Sequence, residues 1–129
     1  MTKAFGKYKD ITYFVFRVLV GLAFLLHGGQ KLFGWFGGLA GDGIKVELFG
    51  LMGFAGIIEF FGGLAILLGI FVTWVALIAA IEMLIAYFTM HLPNGVLPLT
   101  NGGEPVWLFF AAFLVLLTHG PGKWAFSKN

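Results

Sequence analysis

Hydrophobic residues in this chain fall into four long runs that are separated by short polar or glycine-rich segments. The runs cover about residues 11–33, 48–72, 74–92 and 105–119, and few polar positions interrupt them. Roughly 20 apolar residues let a helix cross the hydrocarbon core of a bilayer, and the fourth run is short by this measure. The runs are continuous rather than alternating, which indicates helices and not membrane-barrel strands. The pattern predicts an all-α membrane protein with a four-transmembrane-helix bundle.

The segments between the runs predict how the helices are connected. Residues 34–45 (GWFGGLAGDGIK) are glycine-rich and indicate a flexible or re-entrant loop, and residues 92–104 (LPNGVLPLTNGGE) indicate a second loop. The break between the second and third runs is so short that these helices should form an antiparallel hairpin. We therefore expect residues 1–129 to form a single transmembrane domain with up-down, antiparallel topology.

Lysine positions predict the orientation of this bundle. Lys3, Lys7 and Lys9 precede the first run, whereas Lys123 and Lys128 follow the fourth. The opposite loops hold far fewer basic residues, about two against five, and basic residues favour the cytoplasmic side. The prediction is a multi-pass protein of the cell membrane with both termini in the cytoplasm.

Composition narrows the class of protein and the chemistry open to it. Of the 129 residues, 60% are hydrophobic and 11% are charged, against about 25% charged in soluble domains. There is no cysteine, which excludes a disulfide relay, a thiol nucleophile and cysteine ligation of haem or iron–sulfur clusters. A net charge of +2 gives no reason to expect a nucleic-acid partner; the bilayer is the expected partner.

Three ionisable residues lie inside the apolar runs: Arg17, Glu59 and Glu82. Charged groups at bilayer depth are costly, so membrane proteins rarely keep them without a partner or a function. These residues are the candidates for catalytic or proton-carrying roles. Whether the chain is itself an enzyme or an oxidoreductase subunit is left open by the sequence.

Each of these residues lies on a helix face of small side chains, which lets another helix approach closely. The faces are Gly56–Glu59–Gly63, Ala79–Glu82–Ala86, and the line of Arg17, Gly21, Phe24, Gly28 and Lys31. The charged groups should therefore point into helix–helix contacts, with the glutamates near mid-membrane and Arg17 close enough to reach either of them.

One arginine cannot neutralise two buried acids. At least one glutamate should therefore be protonated, or partnered by His27 or Lys31. Two interpretations remain open at this point: a buried ion pair that stabilises the bundle, and a proton- or ligand-binding role.

A second polar cluster is expected at the non-cytoplasmic end: His27, Lys31, His91 and Glu104. Together with nearby tryptophans these side chains could form a ligand-binding pocket for a flat, polar-headed molecule such as a quinone. Alternatively, His91 and Glu104 are ordinary interfacial residues and the Lys31 side chain reaches toward the interface. No metal site is expected, because the histidines lack tight spacing.

The order and spacing of several motifs resemble the DoxX family of small four-helix membrane proteins. They are R-x9-H-G-x2-K from Arg17 to Lys31, E-F-F-G-G from Glu59 with a later Gly69, and N-G-G-E at Asn101–Glu104 followed by G-P-G-K. The resemblance covers nearly the whole chain. The family is linked to membrane oxidoreductase systems, and its DoxD-type relatives resemble subunits of thiosulfate:quinone oxidoreductase.

The resemblance implies a quinone- or redox-associated membrane subunit, with a quinone as cofactor and a redox partner protein. It transfers no catalytic residues, and the motif positions carry over only as a shared polar core. The alternative functions are a small proton-coupled transporter and a non-catalytic scaffold for a partner enzyme. Lipid-facing glycine and alanine residues could also support a homo-oligomer.

Overall fold

A computed structural model describes residues 1–128, and these residues form helices and loops with no β-strand. The α-helices are α1 (Thr2–Phe5), α2 (Lys9–Phe33), α3 (Leu51–Leu68), α4 (Val72–Ala86), α5 (Pro98–Asn101) and α6 (Glu104–His119). A π-helical turn, Tyr87–His91, continues α4, and short 3₁₀ turns lie at Gly6–Tyr8, Trp35–Gly37 and Leu92–Asn94. For the described residues, the all-α prediction is confirmed.

Three helical stretches are long and apolar enough to cross a membrane: Thr2–Phe33, Leu51–Leu68 and Val72–Asn94. The shorter α6 has 16 residues, which at ~1.5 Å per residue corresponds to roughly 24 Å. A hydrocarbon core is about 30 Å thick. The chain thus contains three to four apolar helices that could span a membrane, in the places where the hydrophobic runs predicted them.

The turn between α3 and α4 lies slightly earlier than the hydrophobic pattern predicted. Helix α3 ends at Leu68 because Gly69 adopts a left-handed conformation with φ of 75°, the usual way in which a glycine ends a helix. Phe71 is also left-handed, with φ of 49°, and α4 begins at Val72. An apolar residue at a helix end cannot be told from one inside the helix by hydrophobicity, so the pattern placed this turn at residues 71–74.

Helices α2 and α3 pack with their backbones in contact. A Cβ atom on Gly28 would collide with the backbone of Phe60, and one on Gly63 with the backbone of Leu25. Gly21, two turns before Gly28, meets the backbone of Leu67 in the same way. Such close packing of glycine faces is typical of helices in membranes, where interhelical attraction comes largely from van der Waals contact.

The remaining helices complete the core on the other side of α2 and α3. Phe24 of α2 packs edge-on against Phe113 of α6, with ring centroids 4.7 Å apart. Around this pair lie the other fully buried side chains, Ile66, Val72, Ala76, Ala79 and Leu116. The faces that carry the charged residues are buried as predicted: Arg17 is 1%, Glu59 5% and Glu82 9% exposed.

Candidate functional site

Lys31 and Glu59 form an ion pair in the interior of the protein. Nζ of Lys31 donates a hydrogen bond to Oε2 of Glu59 at 2.6 Å, and the side chains are 11% and 7% exposed. Gly56 leaves space for the lysine stem, because a Cβ atom there would lie 3.1 Å from the Lys31 Cβ. Of the partners expected for a glutamate, Lys31 is therefore confirmed for Glu59, and the alternative of a Lys31 side chain at the interface is wrong.

Glu82 faces this ion pair from α4. Its carboxyl group interacts with both Glu59 and Lys31, yet within the described part of the chain neither of its oxygens has a hydrogen-bond partner of good geometry. Two carboxyl groups therefore share one ammonium group, which leaves one of them without a counter-charge. An unpaired buried polar group is costly, and in a native structure it calls for an explanation.

A cavity of about 340 Å³ lies between α2, α3, α4 and the start of α6, within the roughly 300–1,000 Å³ range of small-molecule sites. Its polar lining consists of His27, Gln30, Lys31, Glu59, Glu82 and His91. Phe24, Met83, Val106 and Phe109 contribute apolar walls. One cavity therefore contains both buried glutamates, Glu59 and Glu82, and also His27, Lys31 and His91 of the predicted second cluster. The sequence predicted these two groups at separate depths.

The two histidines of the cavity are held by different contacts. The ring of His27 packs edge-on against Phe109 at a centroid distance of 5.5 Å. Nδ1 of His91 lies 3.3 Å from the backbone carbonyl oxygen of Asn101, which fixes the position of the imidazole ring. In this contact Nδ1 of His91 donates to the carbonyl, so Nε2 of the neutral ring is an acceptor, whereas either nitrogen of His27 can donate, depending on the tautomer.

Asn101 organises the loop that closes one end of this region. Its Nδ2 donates to the Tyr87 hydroxyl at 3.2 Å and to the Gly95 carbonyl at 2.9 Å, and its Oδ1 accepts from the Gly103 amide at 2.8 Å. The Tyr87 hydroxyl in turn donates to the Val96 carbonyl. The sequence predicted Asn101 only as part of the shared polar core that the N-G-G-E motif implies, and not as the residue that organises this loop; a polar residue directly before two glycines was the available signal.

Arg17 does not join the glutamates. One of its terminal nitrogens donates to the carbonyls of Pro121 at 2.6 Å and Lys123 at 3.2 Å, and the other to those of Trp124 at 3.0 Å and Leu67 at 3.5 Å. The expected contact with either acid is therefore wrong. Arg17 instead holds the segment after α6 against the α3–α4 turn, because a buried guanidinium needs acceptors and this irregular segment presents unpaired carbonyls.

Glu104 also lies apart from the cavity. It is an exposed residue in the first turn of α6, where a carboxylate favours the positive end of the helix dipole, and it is not among the residues that line the cavity. Within residues 1–128, no three His, Asp or Glu side chains come close enough to hold a metal ion. The cavity itself presents hydrogen-bond donors and acceptors on His27, Gln30, Lys31, Glu59, Glu82 and His91.

Comparison with known proteins gives two matches. The model of the DoxX family matches residues 12–92, which is more than half of the chain. An uncharacterized protein of Haemophilus influenzae is 32% identical over 127 residues, covering 95% of this chain and 93% of that protein. No solved structure matches the chain significantly.

Proposed function

This chain belongs to the DoxX family of membrane proteins, and we propose that it is a redox-associated membrane subunit that binds a quinone in the cavity. A redox partner protein supplies electrons, and the quinone, when bound, supplies the electron-carrying chemistry. The chain contributes the binding site, the orientation of the head group and the nearby acid–base groups.

The observation that carries this proposal is the combination of polar and apolar groups around one cavity. Quinone oxygens accept hydrogen bonds, and the lining offers donors in Lys31, in the ring of His27, and in Glu82 when protonated. Phe109 provides an aromatic wall for a flat ring. Acid–base groups act within hydrogen-bond reach of the atom they serve, and Glu82 lines the cavity beside Glu59 and Lys31.

The test compares Glu82→Gln and Glu82→Leu with a matched control, Glu104→Gln, which changes an exposed carboxyl outside the cavity. The proteins are purified in detergent, extracted for co-purifying quinone, and titrated with a short-chain benzoquinone. Loss of one hydrogen bond between neutral groups, about 0.5–1.5 kcal/mol, corresponds to roughly 2- to 10-fold weaker binding of the Leu variant. Absence of saturable binding by the wild type, or an equal loss in the control, would overturn the proposal.

We further propose that the four long helices run antiparallel, with both termini in the cytoplasm. The hydrogen bond from the Tyr13 hydroxyl to the Gly120 carbonyl, 2.6 Å long, supports a common end for the start of α2 and the end of α6. The chain has no cysteine, so single cysteines at Lys128 and Asp42 can be labelled selectively. In intact cells a membrane-impermeant maleimide should label Asp42→Cys and not Lys128→Cys; the reverse pattern would contradict the orientation.

A second candidate is proton-coupled transport, which the buried Lys31–Glu59–Glu82 group favours because intramembrane carboxylates serve proton relays. Proton and solute flux into liposomes would be measured for wild type and for Glu82→Gln. Flux that depends on Glu82, without saturable quinone binding, would favour transport over the quinone site. No flux, with unfolding of the variant, would favour a scaffold for a partner enzyme.

A further inference from the structure

An apolar groove lies along the outer surface of α3 and α4. It encloses about 250 Å³, and its walls include Leu51, Phe54, Ile58, Ile78, Ile81 and Ile85. Apart from Glu82, its one polar member is Thr89, whose hydroxyl already donates to the Ile85 carbonyl at 2.6 Å. The groove therefore offers hydrocarbon contacts along its length and a single unsatisfied polar group.

The groove adjoins the polar cavity. Met52, Ala55, Glu82, Ala86 and Met90 line both spaces, so one set of side chains separates the two. Two of these are alanines, which leave room, and two are methionines, whose unbranched side chains adopt new rotamers readily. A molecule that spans the two spaces would pass between these residues.

Glu82 stands at this junction, and its burial supports a ligand at this point. It is nine-tenths buried, it lines both spaces, and neither oxygen has a hydrogen-bond partner among the described residues. A ligand whose polar head lies in the cavity and whose apolar chain lies in the groove would satisfy Glu82 at the point where the two parts join.

We propose that the groove between α3 and α4 holds the isoprenoid tail of the quinone and is its lateral entrance from the bilayer. This inference rests on the proposed quinone site and adds the route and the tail contacts. The reason is solubility: a tailed quinone is dissolved among lipid chains, so a head group reaches a buried cavity most directly through a wall that faces lipid.

The test uses a benzoquinone with a prenyl chain that carries a diazirine, added to the purified protein in nanodiscs and activated by light. Peptide mapping should find adducts concentrated on groove residues such as Ile58, Ile78 and Ile85, and excess unlabelled tailed quinone should abolish them. A diazirine phospholipid should not give the same pattern. Adducts spread over the lipid-facing sides of all four long helices, or equal labelling of the groove by the phospholipid, would overturn the inference.

A pair of variants separates this inference from the quinone proposal. Ile81→Trp should fill the groove without changing the lining of the cavity, and Leu108→Trp, at an exposed position of α6 outside the groove, is the control. Ile81→Trp should lower groove labelling at least tenfold while a tail-less benzoquinone still binds. If the tail-less analogue binds the wild type but groove labelling is absent, the lateral route fails and the quinone site stands. If the tail-less analogue fails to bind the wild type, the quinone site itself fails, and the tail site with it.

Discussion

Lys31 and Lys123 both form ion pairs with acidic side chains. Replacement of Lys31 by methionine should destabilise the protein more than the same replacement of Lys123. The substitution keeps an unbranched side chain of similar length but removes the ammonium that bonds Glu59 at 2.6 Å. Both side chains are about nine-tenths buried, so water cannot take over the lost interaction. Glu82 lies in the same cavity, and the variant would therefore bury two carboxyl groups with no counter-charge beside them.

The expected size follows from the behaviour of buried pairs. Breaking a buried pair by removing one partner costs about 3–5 kcal/mol, whereas replacing both partners with apolar residues of similar volume is often neutral or stabilising. Lys31→Met should therefore lower the free energy of unfolding by about 3–5 kcal/mol, and Lys31→Met with Glu59→Leu should recover most of it. Glu59→Gln alone should cost less than Lys31→Met, because Glu82 still interacts with the ammonium.

The measurement is reversible unfolding in mixed micelles, followed by circular dichroism, for the two single variants and the double variant. Lys123→Met is the matched control, because Lys123 pairs with Asp10 at 3.1 Å while the two side chains remain 67% and 44% exposed. Such exposed pairs contribute about 0–1 kcal/mol. If Lys31→Met costs no more than Lys123→Met, or the double variant is less stable than Lys31→Met, the ion pair does not have the role assigned to it.

Three further substitutions test the packing and the loop contacts. Gly28→Ala should cost about 1–3 kcal/mol through overpacking, because its Cβ would meet the α3 backbone. Gly6→Ala, with open space around it, should be neutral. Thermal unfolding compares the two variants, and equal stabilities would contradict the close α2–α3 contact. Arg17→Met should release the segment after α6, so that trypsin cleaves at Lys123 faster than in wild type; unchanged digestion would mean that other contacts hold the segment. Asn101→Leu should lower the free energy of unfolding by about 1–3 kcal/mol for each buried partner left unbonded. Asn101→Asp keeps the Oδ1 acceptor and should cost less. Denaturant unfolding measures both variants, and a less stable Asp variant would refute this prediction.

The sequence alone predicted the elements that depend on local pattern. Continuous apolar runs gave the helical class and the approximate position of each long helix, because a bilayer requires every backbone polar group to bond within its own segment. The small residues around Glu59 and Glu82 indicated buried faces, and both residues are buried. Helical periodicity makes such faces visible without any knowledge of neighbouring helices.

The partners of the charged groups were decided by tertiary structure. Lys31 and Glu59 are 28 positions apart, and Arg17 bonds carbonyls more than 100 positions away, so no local pattern pairs them. The path of one loop brings Asn101 into hydrogen-bond contact with Gly95 and keeps Glu104 out of the cavity lining. The physical reason is that periodicity states which face of a helix is buried, whereas the identity of the facing group depends on the rotation and depth at which whole helices pack and on where the connecting loops close.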